Sequence, residues 1–272
     1  YYNERNDYKT AWKYVSEAYR WGEPWARCEA ARMTYLGMGV PENEAEAQQI
    51  VAEAAQLFPM DEVLSMAGYI FMTCDSLELR DESRALAYWH KGAAKNGSEC
   101  MARLAAYHEG LENYDSAKVY YTRLSEQKKS PYYAGNACFN MSRYVYNGFG
   151  CEASDEAAIR WLQKGADEYK NADCARVLAT FYEEEEYKDL LKAAQYYRQA
   201  ADLGDMAALE SLGKLYADNG NADRAMECYR EMVEKGNVDG YYQMAVLTDS
   251  VKYLETGVKK GSSQCADVMG SI

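Results

Sequence analysis

A two-residue step that ends in a small side chain recurs along the chain: Ala30-Ala31, Ala67-Gly68, Leu104-Ala105, Met141-Ser142, Leu178-Ala179, Leu212-Gly213 and Met244-Ala245. The small positions 31, 68, 105, 142, 179, 213 and 245 are separated by 37, 37, 37, 37, 34 and 32 residues. A fixed interval of this size is the mark of a stacked repeat, each unit too small to bury its apolar face alone. Small side chains let two helix axes approach closely, and Leu, Met, Trp and Tyr fill the space around them.

A second marker predicts the partner helix of each pair, an aromatic residue five positions before a small slot. It reads Tyr14/Tyr19, Trp89/Ala94, Tyr120/Ser125, Trp161/Ala166, Tyr196/Ala201 and Tyr253/Val258, with Ile50/Ala55 and Cys228/Val233 departing at the aromatic. Tyr19 and Val258 are bulkier than the other slot residues. Three residues past the slot, Gly22, Gly97, Gly204, Gly236 and Gly261 predict left-handed caps that satisfy the last helix carbonyls. Pro24, Pro59 and Pro131 each follow a helical run and Pro41 lies in a glycine loop, so the four prolines punctuate helices rather than interrupt them.

The sum is an all-α chain of antiparallel helix pairs wound as a right-handed superhelical solenoid. It is expected to form a single repeat domain over 1–272. Residues 1–23 supply the second helix of a truncated repeat, about seven repeats fill 24–261, and 262–272 begin another. Since both ends break off inside the repeat and the first residue is Tyr, the sequence reads as a segment of a longer repeat protein. With 48% apolar residues in 272, a large core can be buried. No apolar run approaches the ~20 residues of a bilayer span, and no charged-then-apolar leader opens the chain. A net charge of −13 repels phosphate backbones, which argues against a nucleic-acid partner and leans toward basic ones.

The stretches "YLGMGVPENEAEA" and "YNGFGCEASDEAAIRWLQKGA" resemble the Sel-one-like repeat, a subclass of the tetratricopeptide-like solenoids. The resemblance covers essentially the whole chain and is specific in units one, two, four and five. Units three and six have 20 residues between their marker positions, 105 to 125 and 213 to 233, against 24 in units one and four. They look like plain tetratricopeptide repeats. Unit seven has 13, from Ala245 to Val258, which predicts a very short connection.

Chemistry is sparse. Disulfide-rich members of the family pair a Cys near the start of the first helix with a Cys at the second-helix slot. Here Cys28, Cys100, Cys138, Cys174 and Cys265 occupy the first place, but no slot holds Cys. Reduced thiols in the cytoplasm or another reducing compartment are therefore expected. The sequence has no CxxC pair, and His90 and His108 lie outside any metal-type spacing, so no metal or cofactor is expected. The run Glu183 to Glu186 lacks the alternating ligands of a calcium loop and reads as a solvated connection. "GMG" and "GFG" open into acidic residues, not the Lys-Ser or Lys-Thr of a phosphate loop. No catalytic residue emerges.

The resemblance implies instead that first helices line a concave groove, at offsets of about −6, −3, +1, +4 and +5 from the small position. Unit four then presents Asn136, Phe139, Arg143, Tyr146 and Asn147, and unit five Asp173, Arg176, Thr180, Glu183 and Glu184. Asn140 lies beside the unit-four positions, and Arg103 and Tyr107 lie beside those of unit three, Glu99, Ala102, Ala106, Glu109 and Gly110. Arg103, Tyr107, Asn136, Phe139, Asn140, Arg143, Tyr146, Asn147 and Arg176 are the candidate peptide-binding set. Arginine can hold a carboxylate bidentately, Asn can bond an extended backbone, and aromatic rings supply rigid contact area. The same polar residues could instead pair with neighbouring acids. The expected function is a non-catalytic scaffold or adaptor that captures a protein or peptide segment, of carboxylate or basic character. The alternative is a secreted effector or enzyme-like relative of the disulfide-rich members.

Overall fold

A computed structural model describes residues 7–270. The described residues form sixteen α-helices and no strand, in two compact units, residues 1–133 and 134–272. The first unit holds α1 (Tyr8–Arg20), α2 (Pro24–Tyr35), α3 (Glu44–Leu57), α4 (Asp61–Thr73), α5 (Glu82–Ala94), α6 (Ser98–Gly110) and α7 (Tyr114–Ser125). In it α2 packs on α3, α4 on α5 and α6 on α7, while α1 packs on α2, α3 on α4 and α5 on α6.

The second unit holds most of α8 (Pro131–Asn147), then α9 (Asp155–Tyr169), α10 (Ala172–Phe181), α11 (Leu190–Asp202), α12 (Met206–Asp218), α13 (Ala222–Glu234), α14 (Gly240–Thr248), α15 (Val251–Lys260) and α16 (Ser263–Met269). One apolar cluster runs from Ala134 and Cys138 through Leu162, Leu178, Tyr197, Leu212 and Tyr229 to Met244. The fold class is thus all-α, built from antiparallel helix pairs, as the repeat interval predicts. Of the truncated terminal repeats, residues 1–6 and 271–272 lie outside the described residues.

Each of the seven small positions is buried: Ala31, Gly68, Ala105, Ser142, Ala179, Gly213 and Ala245. At Gly68 and Gly213 the reason is a large side chain from the second helix lying across the small one. A Cβ added to Gly68 would stand 2.2 Å from Trp89 Nε1, and one on Gly213 would stand 2.3 Å from Tyr229 Cε1. Neither contact leaves room for a methyl group, so glycine is required by packing. Trp89 is fixed further by donating its indole N–H to the Ser65 carbonyl at 3.1 Å.

The second-helix marker needs a correction in unit two. Ala93 is buried at 2% exposure while Ala94 is exposed, so the slot is Ala93. The left-handed residue moves with it, from Gly97 to Asn96 at φ 60°. Gly97 instead has φ −64° and caps the start of α6. The pattern "WHKGAAKNG" offers two adjacent small residues. Burial of the Trp89 ring, which packing against Gly68 demands, chooses between them.

Second helices are also punctuated by side-chain caps. Asn43, Asp81, Asn113, Ser154, Asp189 and Asn221 each accept the N–H three residues ahead, at 2.9–3.3 Å. Such caps satisfy helix N–H groups that have no intrahelical partner. The connections differ as the marker spacing predicts: residues 36–43 and 148–154 in units one and four, 111–113 and 219–221 in units three and six, and only Asp249 and Ser250 in unit seven. Asp249 turns the chain there in the left-handed region, at φ 51°. In the first long loop, Gly39 has φ 76°, and its missing Cβ would lie 2.1 Å from the Tyr8 carbonyl oxygen.

Candidate binding groove

In the second unit, α8 and α10 leave a groove of ≈ 260 Å³ between them. Phe139, Ser142, Arg143 and Tyr146 of α8 form one wall; Val177, Thr180, Phe181 and the following Glu184 form the other, over Ala158 of α9. The helical spacing explains the first wall, since 139, 142, 143 and 146 fall at i, i+3, i+4 and i+7 on one face. The second wall comes from the end of α10, where Phe181 closes the helix and the chain turns through Glu183 and Glu184.

Phe181 anchors the second wall, and the rim is open. Phe181 is buried at 6% exposure and stands edge-on to Tyr146, with ring centroids 5.6 Å apart and planes at 83°. Its other neighbour is Tyr187, 6.3 Å away at 72°. Edge-to-face pairs of this kind suit the ring quadrupoles. Tyr146 nevertheless keeps 49% of its surface exposed, so an aromatic face is available to a visitor.

The nine residues selected from sequence divide into four groups. Phe139, Arg143 and Tyr146 line the groove together. Asn136, Asn140 and Asn147 sit on the same helix but serve its own backbone and its neighbour. Asn140 donates to the Asn136 carbonyl at 3.1 Å and accepts from Arg143 Nη1 at 2.9 Å. Asn147 donates to the Arg143 carbonyl at 2.8 Å, and Asn136 Oδ1 accepts from Asn171 at 2.9 Å, joining α8 to the cap of α10. Arg176 lies outside the groove lining, ion-paired through Nε to Asp205 at 2.7 Å and through Nη2 to Asp173 at 3.0 Å.

Arg103 and Tyr107 belong to the first unit. Arg103 stacks on the Tyr69 ring at 5.0 Å and approaches Glu99 at 4.0 Å, while Tyr107 donates to Glu82. Burial pushes the Glu99 carboxyl up from its ordinary range, the Ser65 hydroxyl and Arg103 opposing it. Burial, with Glu29 next, likewise pushes the Cys28 thiol up to about 11. A thiol held up in this way is poorly nucleophilic at neutral pH.

Ser142, Ala158, Val177 and Phe181 are the groove residues that the offset rule does not reach. The rule assumes a helix that continues past the small position by five residues, as α8 does. Since α10 ends at Phe181, two residues after Ala179, the chain turns and brings position +2 to the wall. A signal existed in "FYEEEEYKD", where four acids in succession end the apolar pattern of α10.

Among the described residues no cluster of three or more His, Cys, Asp or Glu side chains could hold a metal ion, and no helix is long and apolar enough to cross a membrane. No disulfide joins the eight cysteines: six are buried, Cys28 is partly buried and Cys151 is exposed.

Comparison with known proteins places the fold. A Sel1 repeat protein from Oxalobacter formigenes superimposes with a TM-score of 0.56 over 84% of this chain and 92% of its own, at 18% identity. Yeast Tom70 does so with a TM-score of 0.50 over 98% of this chain and 58% of its own, at 12% identity. At these identities the likeness speaks for the fold. The sequence model of the Sel1 repeat matches residues 18–57, 75–97, 98–129, 135–169 and 172–205, more than half of the chain. These repeats build folds typical of protein-interaction scaffolds, generally without catalysis, and the chain belongs to the Sel1 repeat family.

Proposed function

We propose that this protein is a non-catalytic scaffold that captures an extended segment of a partner protein in the groove between α8 and α10. One observation carries the reading. Phe139, Arg143 and Tyr146, selected by repeat position, fall together on an open groove with a rigid aromatic wall. An anchored ring beside a half-exposed one offers contact area at little entropic cost, which is how binding hot spots are built. The reading extends to one repeat domain over 1–272, supported by the 37-residue step from 105 to 142, which is the same as the steps on either side. A reducing compartment fits thiols that act as packing groups: a Cβ on Gly92 would lie 2.3 Å from Cys100 Sγ.

The test is selection of peptides from a random displayed library on the whole chain, followed by titration of the enriched peptides. Phe139→Ala and Tyr146→Ala are each expected to weaken them about ten-fold or more, the loss of a hot-spot side chain. Enriched peptides that bind both variants as tightly as the parent would place capture elsewhere.

A further inference from the structure

The groove's charge points to the chemistry of its occupant. Arg143 is the cation among the lining residues, and its Nη1 is directed to Asn140 on its own helix. Glu184 lines the opposite wall. Beyond it, Glu183, Glu184, Glu185 and Glu186 are exposed around the turn that carries Tyr187. Within that run Glu185 is engaged by Lys188 and Glu183 accepts from the Tyr197 hydroxyl, while Glu184 lines the groove and Glu186 follows it, next to Tyr187 in the chain. Tyr187, packed on Phe181, reports the field there. Desolvation first, then the carboxylates of Glu186, Asp155, Glu156 and Glu184, holds its phenol above the ordinary tyrosine range. Asp155 and Glu156 of the first turn of α9 and Glu184 and Glu186 of the loop after α10 thus all bear electrostatically on the ring that packs on Phe181.

We propose that the groove recognises a basic side chain, Arg or Lys, of the captured segment, its aliphatic stem against Phe139, Tyr146 and Phe181 and its charged head toward Glu184 and Glu186. The aromatic faces favour a cation through their quadrupoles, and the carboxylates complement it. A partner Asp or Glu would meet this acidic rim with like charge, so the site discriminates by repulsion as well as attraction. The proposal rests on the groove reading above and adds the class of occupant.

The probes are four peptides, Ac-Gly-Ser-Xaa-Ser-Gly-NH2 with Xaa Arg, Lys, Leu or Glu, titrated to millimolar concentration into the whole chain. Aromatic resonances of Tyr146, Phe181 and Tyr187 are followed by NMR. The Arg and Lys peptides are expected to move these resonances at least about five-fold more tightly than the Glu peptide at low salt, with Leu between. The margin should shrink at high salt, where exposed charges are screened, and in a Glu184→Gln, Glu186→Gln double variant. Equal or tighter binding of the Glu or Leu peptide overturns the proposal. If none of the four moves these rings while display-selected peptides still depend on Phe139 and Tyr146, the basic-side-chain assignment fails and the groove stands. If the selected peptides ignore Phe139 and Tyr146, both fail.

Discussion

Gly165 of α9 lies flat against Cys174 of α10: a Cβ on the glycine would stand 2.3 Å from Sγ and 3.1 Å from Cys138 Cβ. The same contact recurs at Gly92 with Cys100 and at Gly257 with Cys265, each at 2.3 Å. The thiol therefore replaces a methyl group in the crossing of a second helix over the next first helix. Substitution Gly165→Ala should destabilise the protein by about 1–3 kcal/mol through overpacking, even though Ala is favoured over Gly in a helix by roughly 0.5–1 kcal/mol. In a Cys174→Ala background the Sγ clash is gone and only the tighter-than-usual contacts with the Cβ atoms of residues 174 and 138, at 3.0 and 3.1 Å, remain, so the same change should cost clearly less. Urea unfolding of the four variants of this cycle measures the difference. Equal cost in both backgrounds would show that the contact does not govern the crossing.

Thiol chemistry follows from the same packing. Cys151 is the exposed cysteine, whereas burial raises the thiols of Cys100 and Cys174. A disulfide reagent added to the native protein at neutral pH should label one thiol quickly and the rest only as the chain opens. Cys151→Ser should remove the fast phase. Several fast thiols in that variant would contradict the packing.

Both histidines of the chain surround Tyr120. His108 stacks on its ring, with centroids 5.9 Å apart and planes at 8°, and His90 Nδ1 meets its hydroxyl at 3.3 Å. His108 Nδ1 is buried without a hydrogen-bond partner. Desolvation, with His90 second, lowers the His108 pKa from its ordinary value of 6.5. The folded state then binds fewer protons than the unfolded state below that value, and stability rises with pH. The contribution is complete above about pH 6.5 and is lost as pH falls through the folded value. The thermal midpoint should therefore drop between pH 7.5 and 5.5 and drop less in His108→Phe, which keeps a ring there. Parallel curves for the two proteins would refute the assignment.

Arg176 serves the stack. Its Nε holds Asp205 Oδ2 at 2.7 Å while Asp205 Oδ1 caps α12 through the Ala208 N–H at 3.1 Å. Both pairs are partly exposed, so Arg176→Ala should cost no more than about 1 kcal/mol, read as a small shift in unfolding midpoint. Display-selected peptides should bind this variant as they bind the parent.

Much of this architecture is legible in the chain because the repeat constrains it twice. A small residue must recur where axes meet, and a large one must recur to cover it, so Gly68 with Trp89 and Gly213 with Tyr229 mark one geometry. Where two small residues adjoin, as at Ala93 and Ala94, periodicity alone leaves the register open and only packing closes it. The groove is partly legible for a similar reason. Phe139, Arg143 and Tyr146 follow from the regular run of α8, while Phe181 depends on where α10 stops. For Asn136, Asn140 and Arg176 the sequence alone leaves open whether a polar side chain meets the protein or a ligand, since both uses share the same position. In the structure they bond to Asn171, Arg143 and Asp205.

Amide hydrogen exchange of the whole chain, with and without a saturating display-selected peptide, tests the central claim most directly. The groove account predicts slowed exchange in α8, α10 and the turn through Tyr187, with α11 and α13 unchanged. Slowing confined to α11 and α13, or to helices of the first unit, would contradict it.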